Sequence, residues 1–409
     1  MSRFTIASFN VKNLIGQDKE YYRFQSYTPE EYAWKSDWMA DQILTLDADI
    51  VGFQEIFEEE PLREVIAEAD ARGIQANAAT VPDRSKRYHR KAIFRKLAYG
   101  PYGETGLAFA PNANDTGKPG QRRPGLAILS RFGFVGTPEV IQELDPPLDI
   151  PMSHLGGEEE AGHYTLRCLS RPILKARIPI NGQVVTVFNC HLKSKLGEFI
   201  TPPGAAQAPE TVLTAYDPAG RALGALRAAL RRMGEAWVLR RAILDELEQD
   251  RPVMVLGDFN DGEHAVSSEI ISGEVPFRNY SWMLRHDAKH ANDRYSRSEN
   301  MQIQEAVDRV RLRSAEKVFL KRSLRDVVYT TAFGGVHESI DQIYMSRHFD
   351  PTWSGAKGQM LYYSVFNDHL TDGSHPEAPY NKLASDHGQI MAHMELRDGP
   401  DTDEPATVR

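Results

Sequence analysis

The chain has 409 residues, 41% hydrophobic and 26% charged, with a formal net charge of −9. That balance excludes a disordered or collagen-like chain, and the acidity argues against a protein that simply coats nucleic acid. No apolar run reaches the about 18 residues of a membrane span, and Cys168 and Cys190 are too few for a disulfide framework or a four-ligand zinc site.

Met1-Ser2-Arg3 leads at once into a strand pattern, with no apolar leader segment, so a reduced, cytoplasmic setting is expected. Short β-branched or apolar runs bounded by turn residues predict strands at Phe4–Asn10, Asp49–Gln54, Leu107–Ala110 and Leu126–Ser130. Ile173–Ile180 and Val184–His191 follow as a hairpin, because Asn181-Gly182 suits a turn with two positive φ angles. Val253–Asp258, Ile340–Met345 and Gln389–Met394 complete the set. Helices fall between them. Trp34, Trp38, Ile43 and Leu46 share one face, as do Leu62, Val65, Ile66 and Ala69. The tryptophans are read as core. Gly220–Gln249 carries the stripe Leu239, Ile243, Leu247 and stops before Pro252. Thr201–Pro218 reads as a long loop. Residues 1–397 show no boundary and are read as one domain, and Asp398–Arg409 has little to bury and is read as a disordered tail. Strands mixed with helices, with hairpins among them, point to an α/β fold of mainly antiparallel sheets with helices outside.

Charge is unevenly spread. Arg84–Lys96 holds seven Lys/Arg and no acid, Arg221–Arg241 six Arg against Glu235, and Arg278–Arg325 twelve basic residues against six acids. Three such runs in an acidic chain point toward an anionic substrate.

The strand ends carry the chemistry. They deliver Asn10, Gln54-Glu55, His191, Asp258 with Asn260, Asp341, and Asp386-His387. One polar residue there is a turn former. Six ends together, all with metal- or proton-handling groups, are not explained by turns.

These motifs resemble the endonuclease/exonuclease/phosphatase superfamily of metal-dependent phosphoesterases. GDFN at Gly257–Asn260 and SDH at Ser385–His387 are the most specific. GLAILSR at Gly125–Arg131 and the strand start at Arg171-Pro172 add to them, all in the family's order from Asn10 to His387. The resemblance implies a four-layer α/β sandwich, two packed mixed β-sheets flanked by helices, with the site at one edge. It also implies Mg²⁺ or Mn²⁺, for which Glu55, Asn10 and Asp386 offer hard oxygen ligands. Asp258 is placed to orient or deprotonate water, Asn260 to hold a phosphate oxygen, and His387 to pair with Asp341. His191 is placed to donate to phosphate or the leaving group, and Arg171 to orient the cluster. Two departures, Lys12 and His191, count against abasic-site repair. The expected activity is phosphodiester hydrolysis of DNA or RNA, with nucleic acid as the partner. Arg84, Lys86, Arg87, Arg90, Lys91, Arg123 and Lys193 would hold the polyanion, with Tyr88 and His89 available for stacking. The alternatives are a phosphatase or phosphodiesterase of a small or lipid-derived ester and, from another class, an inactive binding scaffold.

Overall fold

The computed structural model describes residues 2–79, 96, 98–103, 106–151, 162–197, 199–200, 217–274, 297–323, 328–372 and 383–397. Two mixed six-stranded sheets pack face to face. The first contains β1 (Ser2–Leu14), β2 (Ile50–Ile56), β3 (Leu107–Ala110), β4 (Gly125–Ser130), β13 (Gly358–Phe366) and β14 (Gln389–Leu396), in the order β13-β14-β1-β2-β4-β3. The second contains β5 (Glu139–Pro151), β6 (His163–Ile180), β7 (Gln183–His191), β8 (Val253–Asp258), β9 (Arg313–Ser314) and β12 (Asp341–Met345), in the order β5-β6-β7-β8-β12-β9. A small hairpin, β10 (Thr331–Phe333) and β11 (Val336–Glu338), stands apart.

Each sheet has one parallel pair, β1 with β2 and β7 with β8. A parallel pair needs a crossover. Helix α1 (Pro29–Leu46) supplies the first and α3 (Pro218–Leu247) the second. Helix α2 (Glu59–Ala79) lies beside α1, and α4 (Val266–Ser272), α5 (Arg297–Val310) and α6 (Ala315–Leu320) complete the helices. Side chains alternate between layers, as a period of two demands. Phe4, Ile6, Val185, Val187, Met254 and Leu256 fill the space between the sheets. Ala7 and Phe9 face α1 and α2, while Phe188, Val253 and Val255 face α3. Burial on both faces explains the near-continuous apolar runs of β2 and β8.

Local signals set several boundaries. Thr28 caps α1, accepting from Glu31 N at 3.2 Å while Glu31 accepts from Thr28 N at 3.1 Å, with Pro29 in the first turn. Asn181 and Gly182 adopt φ of 49° and 73°, the predicted hairpin turn.

Other expectations are corrected. The buried side of α1 is Lys35, Met39, Ala40, Ile43 and Leu46, so Trp34 is not core. It is 39% exposed and stacks on Trp38 with ring centroids 6.3 Å apart. Helix α3 starts at Pro218, capped by Asp217, rather than at Gly220, and ends at Leu247. Strand β6 does not start at Arg171-Pro172 but at His163. Pro172 is tolerated because pairing with β7 begins only at Leu174, leaving its missing N–H on an unpaired side. The predicted tail, residues 398–409, lies outside the described residues.

Candidate active site

The two parallel pairs bring four strand C-termini to one edge of the sandwich, where β12 and β14 begin. His191, Asp258 and Asp341 stand in register on adjacent strands, His191 opposite Asp258 and Asp258 opposite Asp341. Across the sandwich, Asn10 is opposite Gln54. Both strands of that pair are irregular here, with register shifts between Asn10 and Leu14 and between Gln54 and Ile56. Glu55 has φ of 65°, Lys12 55° and Asn13 62°. Such bulges re-aim side chains, and strain of this kind persists where the surroundings over-determine it. Here they turn Glu55 out of the core.

The sheets are pinned behind the site by buried amides. Gln54 Nε2 donates to Asn189 Oδ1 at 2.7 Å, and Asn189 Nδ2 donates to Phe53 O at 3.0 Å and Ala127 O at 2.8 Å. The glycine of the GDFN motif has a steric reason: at Gly257 φ is 143°, and a Cβ would sit 1.9 Å from Cys190 O.

The catalytic candidates converge. Asn10 Nδ2 donates to Asp258 Oδ2 at 3.0 Å, lies 3.4 Å from Glu55 Oε1, and lies 3.4 Å from His387 Nε2. His191 Nε2 is 3.2 Å and His387 Nε2 3.7 Å from Asp258 Oδ2. His387 Nδ1 pairs with Asp341 Oδ2 at 2.8 Å. Asn260, at φ 52°, donates its N–H to Asp258 Oδ1 at 2.8 Å and its amide to Leu192 O at 3.0 Å. Arg171 Nη1 donates to the same Leu192 O at 3.2 Å. Asp386 is at the rim, half exposed, 3.7 Å from Lys12 Nζ.

Burial and mutual charge separate the titrating groups. Burial pushes Asp258 up to about 7, against the pull of the His387 charge. His387 rises well above the imidazole range: burial opposes its charge, and Asp341, Asp258 and Asp386 overcome that. His191 falls well below that range through burial and then the Arg171, His387 and Lys193 charges. The cluster thus offers a neutral imidazole, an imidazolium and a carboxyl able to exchange a proton near neutrality.

The donor set suits a hard divalent ion. Glu55, Asp258 and Asp386 bring oxygens to one edge, and two buried atoms, Asp341 Oδ1 and His191 Nδ1, have no hydrogen-bond partner. Among the described residues, one group of ligand-type side chains closes within 4.8 Å, namely Asp258, Asp341 and His387. Asn10 Oδ1 accepts from Lys12 N at 3.0 Å, so its amide nitrogen, not its oxygen, faces the carboxylates. A half-turn of that amide is needed before it offers an oxygen.

One supporting residue gives no signal in the sequence. Lys35, fully buried in α1, donates to Val11 O at 2.9 Å and Leu383 O at 3.1 Å, tying the β1 bulge to the segment before Asp386. Burial and Lys12 lower it to about 7.

A family model described as "Endonuclease/Exonuclease/phosphatase family" matches residues 7–387. The chain belongs to that family. Divalent-metal dependence is general there. No curated protein matches the chain. Among solved structures it is similar to a family protein from Leptotrichia buccalis, with TM-score 0.43 and 11% identity over 96% of this chain and 99% of that one. It is similar to the human Nocturnin catalytic domain with bound sulfate, with TM-score 0.45 and 12% identity over 97% and 95%. It is also similar to a mannosyl-6-phosphatase from Bacteroides thetaiotaomicron, with TM-score 0.43 and 13% identity over 96% and 100%.

The basic runs fare differently. Arg84, Lys86, Arg87, Tyr88, His89, Arg90 and Lys91 lie outside the described residues, as does much of Arg278–Arg325. Lys96, the last residue of the first run, is bound to Asp49 Oδ1 at 2.6 Å. Asp49 precedes β2, so six residues, about 20 Å of strand, separate it from Glu55. The Arg221–Arg241 run divides. Arg232 is buried against Asp261 at 2.7 Å and Arg240 donates to Ile271 O at 3.1 Å, while Arg227 and Arg231 line a cleft with Arg123 and Lys193.

Proposed function

We propose that this family member is a divalent-metal-dependent phosphodiester hydrolase, a nuclease acting on DNA or RNA through in-line attack of water on phosphorus. The observation that carries the reading is the convergence of Asn10, His191, Asp258, Asp341 and His387 from five strand ends onto one buried point, with Glu55 beside it.

Glu55, Asn10 and Asp386 would hold Mg²⁺ or Mn²⁺, which when bound supplies positive charge at the phosphate oxygens and orients the ester. The chain's own groups do the rest. Asp258 accepts a proton from the attacking water, its acidity already drawn to near neutrality by burial. His387, kept charged by Asp341, stabilises negative charge growing on phosphorus. His191 holds Nε2 3.2 Å from Asp258 Oδ2, from where its N–H would donate to a phosphate oxygen as the P–O bond to the leaving oxygen breaks and that oxygen takes up a proton from solvent. Asn260 and Arg171, both anchored on Leu192 O, fix the wall of the site.

The position of Lys96, at the far end of β2, favours a second reading, hydrolysis of a small phosphate ester with no long polyanion track. A panel of plasmid, oligonucleotides, bis-p-nitrophenyl phosphate and p-nitrophenyl phosphate, with and without metal, tests both. The nuclease reading expects metal-dependent cleavage of diesters, faster for polymers. Turnover of the monoester alone would replace it with a phosphatase, and no turnover of any would leave an inactive scaffold.

A further inference from the structure

A cleft of about 640 Å³ opens between β6 and α3. Five cationic side chains line it, Arg123, Arg167, Lys193, Arg227 and Arg231, and no carboxylate among the described residues does. In a chain of net charge −9, this is a concentrated positive concavity, whose field is focused by its walls. Arg227 and Arg231 are four residues apart on α3 and so project from one face. Gly224 and Ala228 of the same face are small and buried, which leaves room between the arginines and β6.

The wall is built rather than incidental. Glu235, 2% exposed, accepts from Ser170 N and Lys193 N, each at 2.8 Å, and from Ser170 Oγ. Arg231 Nη2 donates to Cys168 O at 2.7 Å. These contacts lock the middle of β6, which carries Arg171, and the end of β7, which carries His191. The cleft's wall is joined to the site through the chain: Ser170 precedes Arg171, and Lys193 follows His191 by two residues. Its volume falls in the range of about 300–1,000 Å³ that holds small ligands.

We propose that this cleft is an anion subsite that holds a second phosphate group of the substrate while the first sits at the Asp258–His387 cluster. This rests on the phosphoester-hydrolase reading for the identity of the bound group, and narrows the substrate class to esters with more than one phosphate. Two sources share that chemistry, a nucleic-acid strand and a compact, multiply phosphorylated small molecule.

The test is binding, in chelator, so that no turnover is needed. A short fluorescein-labelled single strand is titrated into the full chain and into the double variant Arg167→Gln/Arg227→Gln. Both arginines are exposed, so the fold is expected to hold, which circular dichroism checks. The variant should bind at least about tenfold more weakly at low salt, with a slope of log affinity against log salt lower by about 1.4, two contacts on a single strand. Inositol hexakisphosphate is the competing probe. Displacement of the strand at equal phosphate concentration assigns the cleft to compact polyphosphates, and resistance to displacement assigns it to a strand. Either supports the second-phosphate subsite. Unchanged affinity and slope in the variant, or no binding by the unsubstituted chain, overturns it. Absent turnover with the binding difference intact would defeat the hydrolase reading alone.

Discussion

Asp341 and His387 are joined at 2.8 Å across 46 residues of sequence, and the imidazole's other nitrogen lies 3.7 Å from Asp258. The histidine is thus gripped between two carboxylates contributed by neighbouring strands of one sheet, while it arrives itself from the other sheet. Its charge depends on that grip. Asp341→Asn should lower turnover at least about a hundredfold, the usual scale for a positioned acid or base, with little change in thermal midpoint. Turnover within a few-fold of the unsubstituted enzyme would remove His387 from the charged role.

Glu55→Gln keeps the shape of the side chain and deletes its charge. Activity should fall to background, circular dichroism should be unchanged, and Mg²⁺ binding measured by calorimetry should weaken strongly. Full activity in the presence of a chelator would sink the metal assignment.

Asp258→Asn retains the acceptor for the Asn260 N–H but cannot take a proton. Single-turnover measurements should show the chemical step slowed by at least about a hundredfold, with substrate affinity retained. An equal loss in affinity alone would make Asp258 a binding group.

Lys35→Met fills similar volume but removes the buried donor to Val11 O and the tie to Leu383 O. The cost is about 1–3 kcal/mol of stability, the penalty for a buried unsatisfied group. Because those carbonyls flank the Asn10 and Asp386 segments, kcat should fall as well, even well below the melting range. A stable variant with full kcat would show that the tie does not position the site.

Glu246 gives a pH prediction away from the chemistry. It is 1% exposed and accepts from Lys175 at 2.8 Å, Arg177 at 2.9 Å, Arg251 at 3.0 Å and Thr186 at 2.8 Å. Burial raises its pKa, but those hydrogen bonds outweigh burial and hold it at about 2. A carboxyl depressed in the folded state contributes stability that is complete above its unfolded value and is lost as pH falls through the folded one. The contribution is about 3 kcal/mol at neutral pH. Denaturant midpoints should therefore fall between about pH 5 and pH 2, and Glu246→Gln should be less stable at pH 7 with a flatter acid limb. Parallel pH curves for the two proteins would refute the assignment.

Much of this was readable from the chain because the relevant signals are local. Asn181-Gly182 marks its own turn, and the strand-end residues Asn10, His191, Asp258 and Asp341 follow from where each apolar run stops. What stayed hidden depends on tertiary partners. Lys35 is polar in sequence and is buried only because two distant carbonyls receive it. Trp34 has the spacing of a core residue, yet the helix turns Lys35 and Met39 inward instead. Strand β5 was missed because its pairing with β6 is broken by register shifts around Glu143. The Glu55 bulge has no sequence marker, since a positive φ at a glutamate arises from the packing around it. The cationic cleft is half visible in sequence, in Arg123, Lys193 and the Arg221–Arg241 run, while Arg167 joins it only through the packing of β6 against α3.

Strand β1 pairs with β14 antiparallel, Ser2 opposite Leu396 and Ser8 opposite Ile390. Asn10 is at the candidate-site end of β1 and His387 lies two residues before β14, so Ser2 and Leu396 share the opposite rim, about 25 Å away at strand spacing. Attachment to a solid support through the residues near either of these positions leaves the candidate-site rim pointing outward. The same neighbourhood lets a short peptide bridge join them, which makes the order in which the segments are synthesised separable from the architecture they build.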